Sequence, residues 1–308
     1  MKLPVFCLIL LLPTMSLAGD GVLEINQTCA VQTGCFAGDS ASFPVEITAP
    51  GSYILTSNLI VRDENTSGIL VSSSDVGIDL NNFAIIRSGC EGTSSCSPAP
   101  GTGSGVERVS TENRGTSVKN GSITGMGNHG VFLGAQAEVT NLRARSNQGD
   151  GINAGSGSTV SGNTALLNGN DGINVGTGST VSGNTAFNSG NRGIFANSGS
   201  TVSGNTAYQN RSDGIDGGSG CTIIGNTAYD NGDSIDPALD DGIKCNDGCT
   251  VRGNTVRDNS GFGLNLGSFS SYRENTITDN ATGTVTGGTN LGGNLCHAPG
   301  APGATMCP

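Results

Sequence analysis

The 308-residue sequence contains no tryptophan, and aromatic residues of every kind make up only 4% of it. Charged residues are also few, at 13%. A helical globular protein normally relies on aromatic core residues and on long stretches of charged helix surface. These shortages therefore argue against a helical fold. The 51 glycines instead indicate a chain that turns often.

Basic residues are the scarcest charged group, with 14 Lys and Arg against 25 Asp and Glu, for a net charge of −11. Nucleic acids and anionic membranes attract basic surfaces, so neither is an expected partner. The same charge is a poor match for a polyanionic sugar chain unless a metal ion or local bases intervene.

Long apolar runs are missing after the N-terminus, so we expect no membrane span. The first residues read MKLPVFCLILLLPTMSLA. Lys2 provides the positive start, the apolar run is too short to cross a bilayer, and Ser16-Leu17-Ala18 offers a cleavage site. We predict a signal peptide over 1–18 and a mature protein that is secreted or periplasmic.

Ten cysteines agree with an oxidising compartment. Three close pairs suggest small disulfide loops: Cys29–Cys35, Cys90–Cys96 and Cys296–Cys307. Cys221 and Cys249 hold equivalent repeat positions, which suits a disulfide between neighbouring repeats, with Cys245 pointing inward as a free thiol. Cys245–Cys249 is the competing pair.

A repeat is the strongest signal in the sequence. STVSGNTA occurs at 158–165, 179–186 and 200–207, and the asparagine of each such unit recurs at steps of 21, 21, 21, 28 and 21 residues. Those asparagines are Asn163, Asn184, Asn205, Asn226, Asn254 and Asn275. Apolar residues hold constant positions between them and alternate with Thr, Ser or Asn, which is strand periodicity.

The repeat predicts an all-β fold, a right-handed parallel β-helix with three short strands per coil of about 21 residues and about ten coils. Each coil cannot bury its apolar face alone, so identical coils stack at about 4.8 Å. Inward asparagines would hydrogen-bond from coil to coil at the bends. Gly before each Asn permits the bend.

The segments GSYILTSNLIV at 51–61, VGIDLNNFAII at 76–86 and GGTNLGGNLC near the end resemble bacterial secreted members of the right-handed parallel β-helix repeat family, of the pectin-lyase-like superfamily. The resemblance implies an N-terminal cap over 19–50, a β-helix over 51–280 and a C-terminal cap over 281–308. It implies no single activity, since this fold carries lyases, hydrolases, epimerases, adhesins and scaffolds.

Two insertions interrupt the repeat, one over about 87–104 and one, GDSIDPALD, at 232–240. Both follow the second asparagine position and precede the Gly-Ile strand, so both are expected at the same corner. Six coils separate them, roughly 29 Å. We predict that they bound a groove, because long loops on a rigid scaffold often carry function.

The predicted groove floor contains charged residues in register. One column precedes each Gly-Ile pair: His129, Asp150, Asp171, Arg192, Asp213 and Asp241. The outward column that follows is Phe132, Asn153, Asn174, Phe195, Asp216 and Lys244. We predict Asp213, Asp216, Asp241 and Lys244 as catalytic candidates, and Asp171, Arg192 and Asp240 as substrate contacts. Carboxylates one coil apart could share a proton or a Ca²⁺ ion, and Lys244 could bind a sugar carboxylate.

The same residues also have a structural interpretation. Asp-Gly is ordinary turn chemistry, and Arg192 between Asp171 and Asp213 suits a charge ladder. DDGIK at 240–244 is similar to the Asp-Asp motif of polygalacturonases. The chain lacks their Arg-x-Lys, and its His129-Gly130 lies upstream of the motif rather than downstream.

Two further outward columns suggest functions. Leu166, Phe187, Tyr208 and Tyr229 form an aromatic stripe, so Tyr208 and Tyr229 are candidate sugar contacts, or else a self-packing ladder. Thr159/Ser161, Thr180/Ser182 and Thr201/Ser203 form a flat array similar to that of β-helical ice-binding proteins.

The sequence therefore predicts a protein that recognises, and in one version processes, an extracellular or envelope polysaccharide along one edge. If it is an enzyme, a polysaccharide lyase or a glycoside hydrolase is expected, with no dedicated metal site. The alternatives are a non-catalytic structural or adhesive scaffold and, as a minor option, an ice-binding protein.

Overall fold

The protein is a parallel β-solenoid with almost no helix. A computed structural model describes residues 21–92, 96–233, 240–301, 303 and 307–308. The predicted signal peptide lies outside the described residues, as do 93–95 of the first insertion and 234–239 of the second. Within the described part, no helix is long and apolar enough to span a membrane.

A complete coil contributes one strand to each of three rows, and every row is parallel. Rows A and B together form a 21-stranded sheet, and row C forms an 11-stranded sheet. Row A contains β1 (Leu23–Ile25), β3 (Gly51–Leu55), β6 (Val76–Asp79), β13 (Thr159–Ser161), β16 (Thr180–Ser182), β19 (Thr201–Ser203), β22 (Thr222–Ile224), β25 (Thr250–Arg252), β28 (Ser271–Arg273) and β31 (Thr289–Asn290). Two long strands, β9 (Ser117–Thr124) and β11 (Glu138–Arg145), run through rows A and B.

The remaining strands complete rows B and C. Row B contains β4 (Leu59–Val61), β7 (Ala84–Arg87), β14 (Thr164–Leu166), β17 (Thr185–Phe187), β20 (Thr206–Tyr208), β23 (Thr227–Tyr229), β26 (Thr255–Arg257), β29 (Thr276–Thr278) and β32 (Leu295–His297). Row C contains β2 (Val45–Ile47), β5 (Ile69–Val71), β8 (Val106–Arg108), β10 (Val131–Leu133), β12 (Ile152–Ala154), β15 (Ile173–Val175), β18 (Ile194–Ala196), β21 (Ile215–Gly217), β24 (Ile243–Cys245), β27 (Phe262–Leu266) and β30 (Gly283–Thr286).

The solenoid has about twelve turns, more than the ten expected. The extra turns lie at the ends, where the Gly-Asn-Thr signature is missing. β1 and β2 lie in the segment predicted as an N-terminal cap, and β30 to β32 lie in the predicted C-terminal one. The helix α1 (Gln27–Gln32) lies between β1 and β2, and the Asn26 side chain caps it by accepting the Cys29 N–H.

The core is a set of inward columns, one from each row. Val160, Ala165 and Ile173 represent rows A, B and C, and all three are fully buried. Register repeats them: Val160 pairs with Val181, Ala165 with Ala186 and Ile173 with Ile194. Stacked identical apolar residues therefore form one continuous core along the axis.

Buried asparagines fix the corner between rows A and B. Asn163 Nδ2 donates to Asn184 Oδ1 at 2.9 Å and to the Val139 carbonyl at 2.8 Å, and the Asn163 N–H also donates to Asn184 Oδ1 at 2.9 Å. Gly162, at φ 67°, makes the bend that turns the next side chain inward. The predicted asparagine ladder is confirmed, and it satisfies turn groups that would be costly to bury unpaired.

Four disulfides link described cysteines. Cys29–Cys35, Cys90–Cys96 and Cys296–Cys307 are paired as predicted. The favoured pairing of Cys221 with Cys249 is wrong: Cys245 bonds to Cys249, and Cys221 is the free, buried thiol among the described cysteines. Cys245 and Cys249 lie on either side of one turn within a coil. The bond therefore closes a turn and does not connect coils.

Candidate functional site

The charged column before the row C strands is a hydrogen-bond ladder. Asp171, Asp213 and Asp241 are almost completely buried. Each accepts a backbone N–H from the next coil: Asp171 from Arg192 at 3.1 Å, Asp213 from Asp241 at 2.8 Å, and Asp241 from Phe262 at 2.8 Å. Row C thus holds these carboxylates in one line, as the register predicted.

Arg192 bridges three coils. Its Nε and Nη2 donate to the two oxygens of Asp171 at 3.1 and 2.9 Å, and its Nη1 donates to Asp216 Oδ2 at 3.0 Å. The guanidinium also lies over the Phe195 ring, 3.9 Å from its centroid. Burial raises the pKa of Asp171, and the bonds from Arg192 oppose that shift. Arg192 therefore counteracts part of the effect of burial on this carboxyl.

Asp213 and Lys244 form the second charged contact of this column. Lys244 Nζ lies 3.8 Å from Asp213 Oδ2, and Lys244 pairs in register with Asp216. Burial raises the pKa of Asp213 to about 7, although the Asp241 N–H and the Lys244 charge lower it. Asp213, Asp216 and Lys244 are thus brought together, and Asp213 can change protonation near neutral pH.

Asp241 is held by the coil that follows it. Its Oδ1 accepts the Phe262 N–H, and its Oδ2 accepts Asn265 Nδ2 at 2.7 Å. Burial raises the pKa of this carboxyl. Asp240 is buried beside it, and its carbonyl accepts the Gly261 N–H at 2.8 Å. Both aspartates contribute to the hydrogen bonds between stacked coils. Among the described residues, no group of three or more His, Cys, Asp or Glu side chains could hold a metal ion.

The outward side chains of row C form a continuous surface, which we call face C. Neighbouring members pair in register at every step. They are Phe132, Asn153, Asn174, Phe195, Asp216, Lys244 and Asn265. Sequence analysis missed Asn265 because FGLNL replaces the usual Gly-Ile signal there.

A hollow of about 420 Å³ opens at the side of face C. Lys244 and Asn265 line it together with turn residues of rows C to A, among them Ser219, Asn246 and Asp247. A volume in this range suits a small ligand or one part of a longer one. The two insertions leave the solenoid at the other corner of row C, between rows B and C. They share this corner, as predicted.

The aromatic stripe lies on row B, away from the charged column. Phe187 stacks on Tyr208 at 4.8 Å and Tyr208 on Tyr229 at 4.9 Å, with the rings nearly parallel. Arg257 covers the far side of Tyr229 at 4.5 Å. A sugar stacks on the open face of a ring, and these faces are occupied by one another. The geometry favours the self-packing ladder for Tyr208 and Tyr229.

The threonine and serine array lies on row A and is regular over three coils. Thr159, Thr180 and Thr201 are exposed and in register. The column of serines beside them then gives way to Ile224 and Arg252. The flat area is therefore short.

A family model for the right handed beta helix region matches residues 104–235 and 197–295. These matches cover more than half of the chain. The protein belongs to the right-handed β-helix family. This membership also gives the handedness of the solenoid.

Solved structures of the same fold are similar at low sequence identity. The A-module of the Azotobacter vinelandii mannuronan C-5 epimerase AlgE4 is 15% identical, with 81% of this chain and 80% of that chain covered and a TM-score of 0.61. A periplasmic alginate epimerase, AlgG, gives 13% identity, 89% and 82% coverage and a TM-score of 0.56.

A tailspike is also similar. The Dettilon tailspike protein gives 16% identity and a TM-score of 0.59, with 82% of this chain and 58% of that chain covered. No curated protein matches the sequence. At these identities the likeness shows the fold of this β-helix protein. The four disulfides add that it belongs to an oxidising, extracytoplasmic compartment.

Proposed function

We propose that this β-helix protein is secreted or periplasmic and binds an extracellular or envelope polysaccharide along face C. The observation that carries the proposal is the column itself. It presents one aromatic, amide or charged side chain per coil, at a spacing of about 4.8 Å, on a rigid sheet. A polymer that repeats along its length is the ligand that can use such a column.

The chemistry of face C suits sugars. Asn153, Asn174 and Asn265 offer amides, which both donate and accept, so they can bind the hydroxyl groups of a glycan. Asp216 is buried and already accepts from Arg192. Proteins of similar fold include epimerases named for mannuronan and alginate, which are polysaccharides. That likeness supports a polymeric sugar but does not identify which sugar.

The hollow beside Lys244 offers space for one part of the ligand. It continues face C sideways, so a chain lying along the column could place one sugar there. Concave sites with a few convergent polar groups are the usual binding sites in proteins. The other outward surfaces offer a glycan fewer free contacts. The aromatic rings of row B stack on one another, and the threonine and serine array of row A is short.

The test is an array of the purified mature protein against neutral glycans and polyuronides, with and without Ca²⁺, scored for binding and for released products. The most informative variant is Asn174→Ala, because the bond from Asn174 Nδ2 to Asp171 is long, at 3.4 Å, so its loss should cost little stability. We expect about tenfold weaker binding. Thr180→Ala, an exposed row A change, is the matched control and should bind as wild type.

No binding to any glycan would reject the proposal and leave a structural or adhesive scaffold as the better account. Thermal hysteresis activity in that case would favour the row A array and ice binding. Binding that survives Asn174→Ala and the equivalent change at Asn153 would move the binding surface away from face C.

One observation favours catalysis as a second function. Asp213 has a pKa of about 7 and lies 3.8 Å from Lys244, with Asp216 in the same group. A carboxyl poised near neutral pH can exchange a proton with a substrate, as a lyase or a glycoside hydrolase requires. Asp213→Asn should then abolish product release while leaving binding in place. Asp241→Asn tests, in the same assay, the carboxylate that is hydrogen-bonded by Phe262 and Asn265 of the next coil.

A further inference from the structure

We infer that face C selects an uncharged polysaccharide and rejects uronate polymers. This inference rests on the proposed function and narrows it to a substrate class. It depends on the cations that a sugar carboxylate would need, and on what those cations already contact. At the first coil of face C, Arg108 packs over the Phe132 ring, 4.7 Å from its centroid. The other two cations are Arg192 and Lys244.

Arg192 already uses three of its five guanidinium N–H donors on carboxylates of the protein. Nε and Nη2 are engaged by Asp171, and Nη1 is engaged by Asp216. One face of the guanidinium plane lies against the Phe195 ring. An anionic sugar that approached Arg192 would come close to Asp171 and Asp216, which already bind it. Displacing the buried Asp171 would leave that carboxylate without its charged partner, which is strongly unfavourable.

Lys244 is also matched with carboxylates of the protein. Its ammonium lies 3.8 Å from Asp213 Oδ2, and Asp216 is its register neighbour on the preceding coil. A uronate approaching Lys244 would come close to these carboxylates. Like charges placed together in a partly dehydrated site repel, and such repulsion is a common way to exclude the wrong ligand.

The hollow beside Lys244 is likewise better suited to an uncharged sugar than to an anionic one. Ser219, Asn246 and Asn265 provide neutral donors and acceptors, and Asp247 adds a further carboxylate. Hydroxyl groups can satisfy all of these groups, because a hydroxyl both donates and accepts. A ligand carboxylate can only accept, so it cannot donate to Asp247 and would instead repel that carboxylate.

The test compares neutral glycans with polymannuronate and polygalacturonate on the wild-type protein, at low and at high salt. We expect binding of at least one neutral glycan, changed less than about twofold by salt, and uronate binding at least about tenfold weaker. Preferred binding of any charged glycan, whether uronate or amine-bearing, would overturn the inference while leaving the proposed function intact. No binding at all would remove the proposed function itself.

Asp216→Asn tests the physical cause. It removes one like charge and keeps an oxygen that can accept from Nη1 of Arg192, so the ratio of uronate to neutral-glycan affinity should rise about tenfold. Glu138→Gln makes the same charge change at an exposed position of row A and should leave the ratio unchanged. An equal ratio in the Asp216 variant and the wild type would contradict the charge argument. The wild-type comparison stands even if that variant does not fold.

Discussion

The Asp241 N–H donates to the Asp213 carboxylate at 2.8 Å across a step of 28 residues, where the neighbouring steps of the column take 21. The bond keeps the charged column continuous across the second insertion. The same carboxyl lies beside Lys244. Asp213 therefore combines a structural bond with a pKa of about 7.

Asp213 should make stability depend on pH. Its pKa is raised from 3.8 to about 7 on folding, so between these values the folded state binds more protons than the unfolded state. This contribution is fully present below about pH 4 and is lost as pH rises through about 7, by up to about 4 kcal/mol. Thermal unfolding should show that Asp213→Asn is less sensitive to pH than wild type over this range. Identical pH profiles would contradict the assignment.

Replacing Arg192 should damage the fold and not only the surface. Arg192→Met leaves the Asp171 carboxylate buried without its charged partner, so the free energy of unfolding should fall by about 3–5 kcal/mol. Arg273→Met, at an exposed position of row A, is the matched control and should stay within about 0.5 kcal/mol of wild type. Denaturant unfolding measures both. Equal losses in the two variants would argue against the Arg192 bridge.

Ser189 marks a gap in the second asparagine ladder. Its hydroxyl is buried without a hydrogen-bond partner, while Asn210, one coil later, donates to Asn231 and to the Ala186 carbonyl. Ser189→Asn should complete the ladder and raise the free energy of unfolding by about 1–2 kcal/mol. The reverse change, Asn210→Ser, should lower it by a similar or larger amount. A destabilised Ser189→Asn protein would show that the gap cannot hold the larger side chain.

Cys221 should be a hidden thiol. It is buried, and burial raises its pKa, so an alkylating reagent at neutral pH should label it only after unfolding. Peptide mapping of the labelled protein should recover the Cys245–Cys249 bond intact. Labelling of Cys245 instead, with a Cys221–Cys249 peptide, would support the pairing between coils that the repeat positions favoured.

The aromatic stripe should contribute to stability and not to binding. Tyr208 lies between Phe187 and Tyr229, so Tyr208→Ala should lower the free energy of unfolding by roughly 2–4 kcal/mol. Glycan affinity should change less than about twofold. Phe269→Ala removes a ring that is 92% exposed and should cost under about 0.5 kcal/mol. If Tyr208→Ala lost glycan binding while its stability stayed unchanged, the aromatic stripe would be a glycan-binding surface.

The repeat period by itself determines the architecture of the protein. Steps of 21 residues, with apolar residues at fixed positions, specify three rows of strands because a coil can bury its apolar face only against identical neighbours. The same register placed Asp171, Arg192 and Asp213 in one column, and pairing confirms the register. The end coils were undercounted because they carry no Gly-Asn-Thr signature.

Only the tertiary structure decided how these side chains are used. Sequence register places Arg192 between neighbouring coils, but the direction of its guanidinium depends on Phe195 and on the oxygens of Asp171 and Asp216. Likewise, equivalent repeat positions favoured Cys221–Cys249, whereas the closed pair is Cys245–Cys249 within one coil. The coils stack along one axis, so the order in which residues stack can be inferred from the repeat spacing in the sequence. Side-chain pairing depends on rotamers and burial in three dimensions, which spacing does not contain.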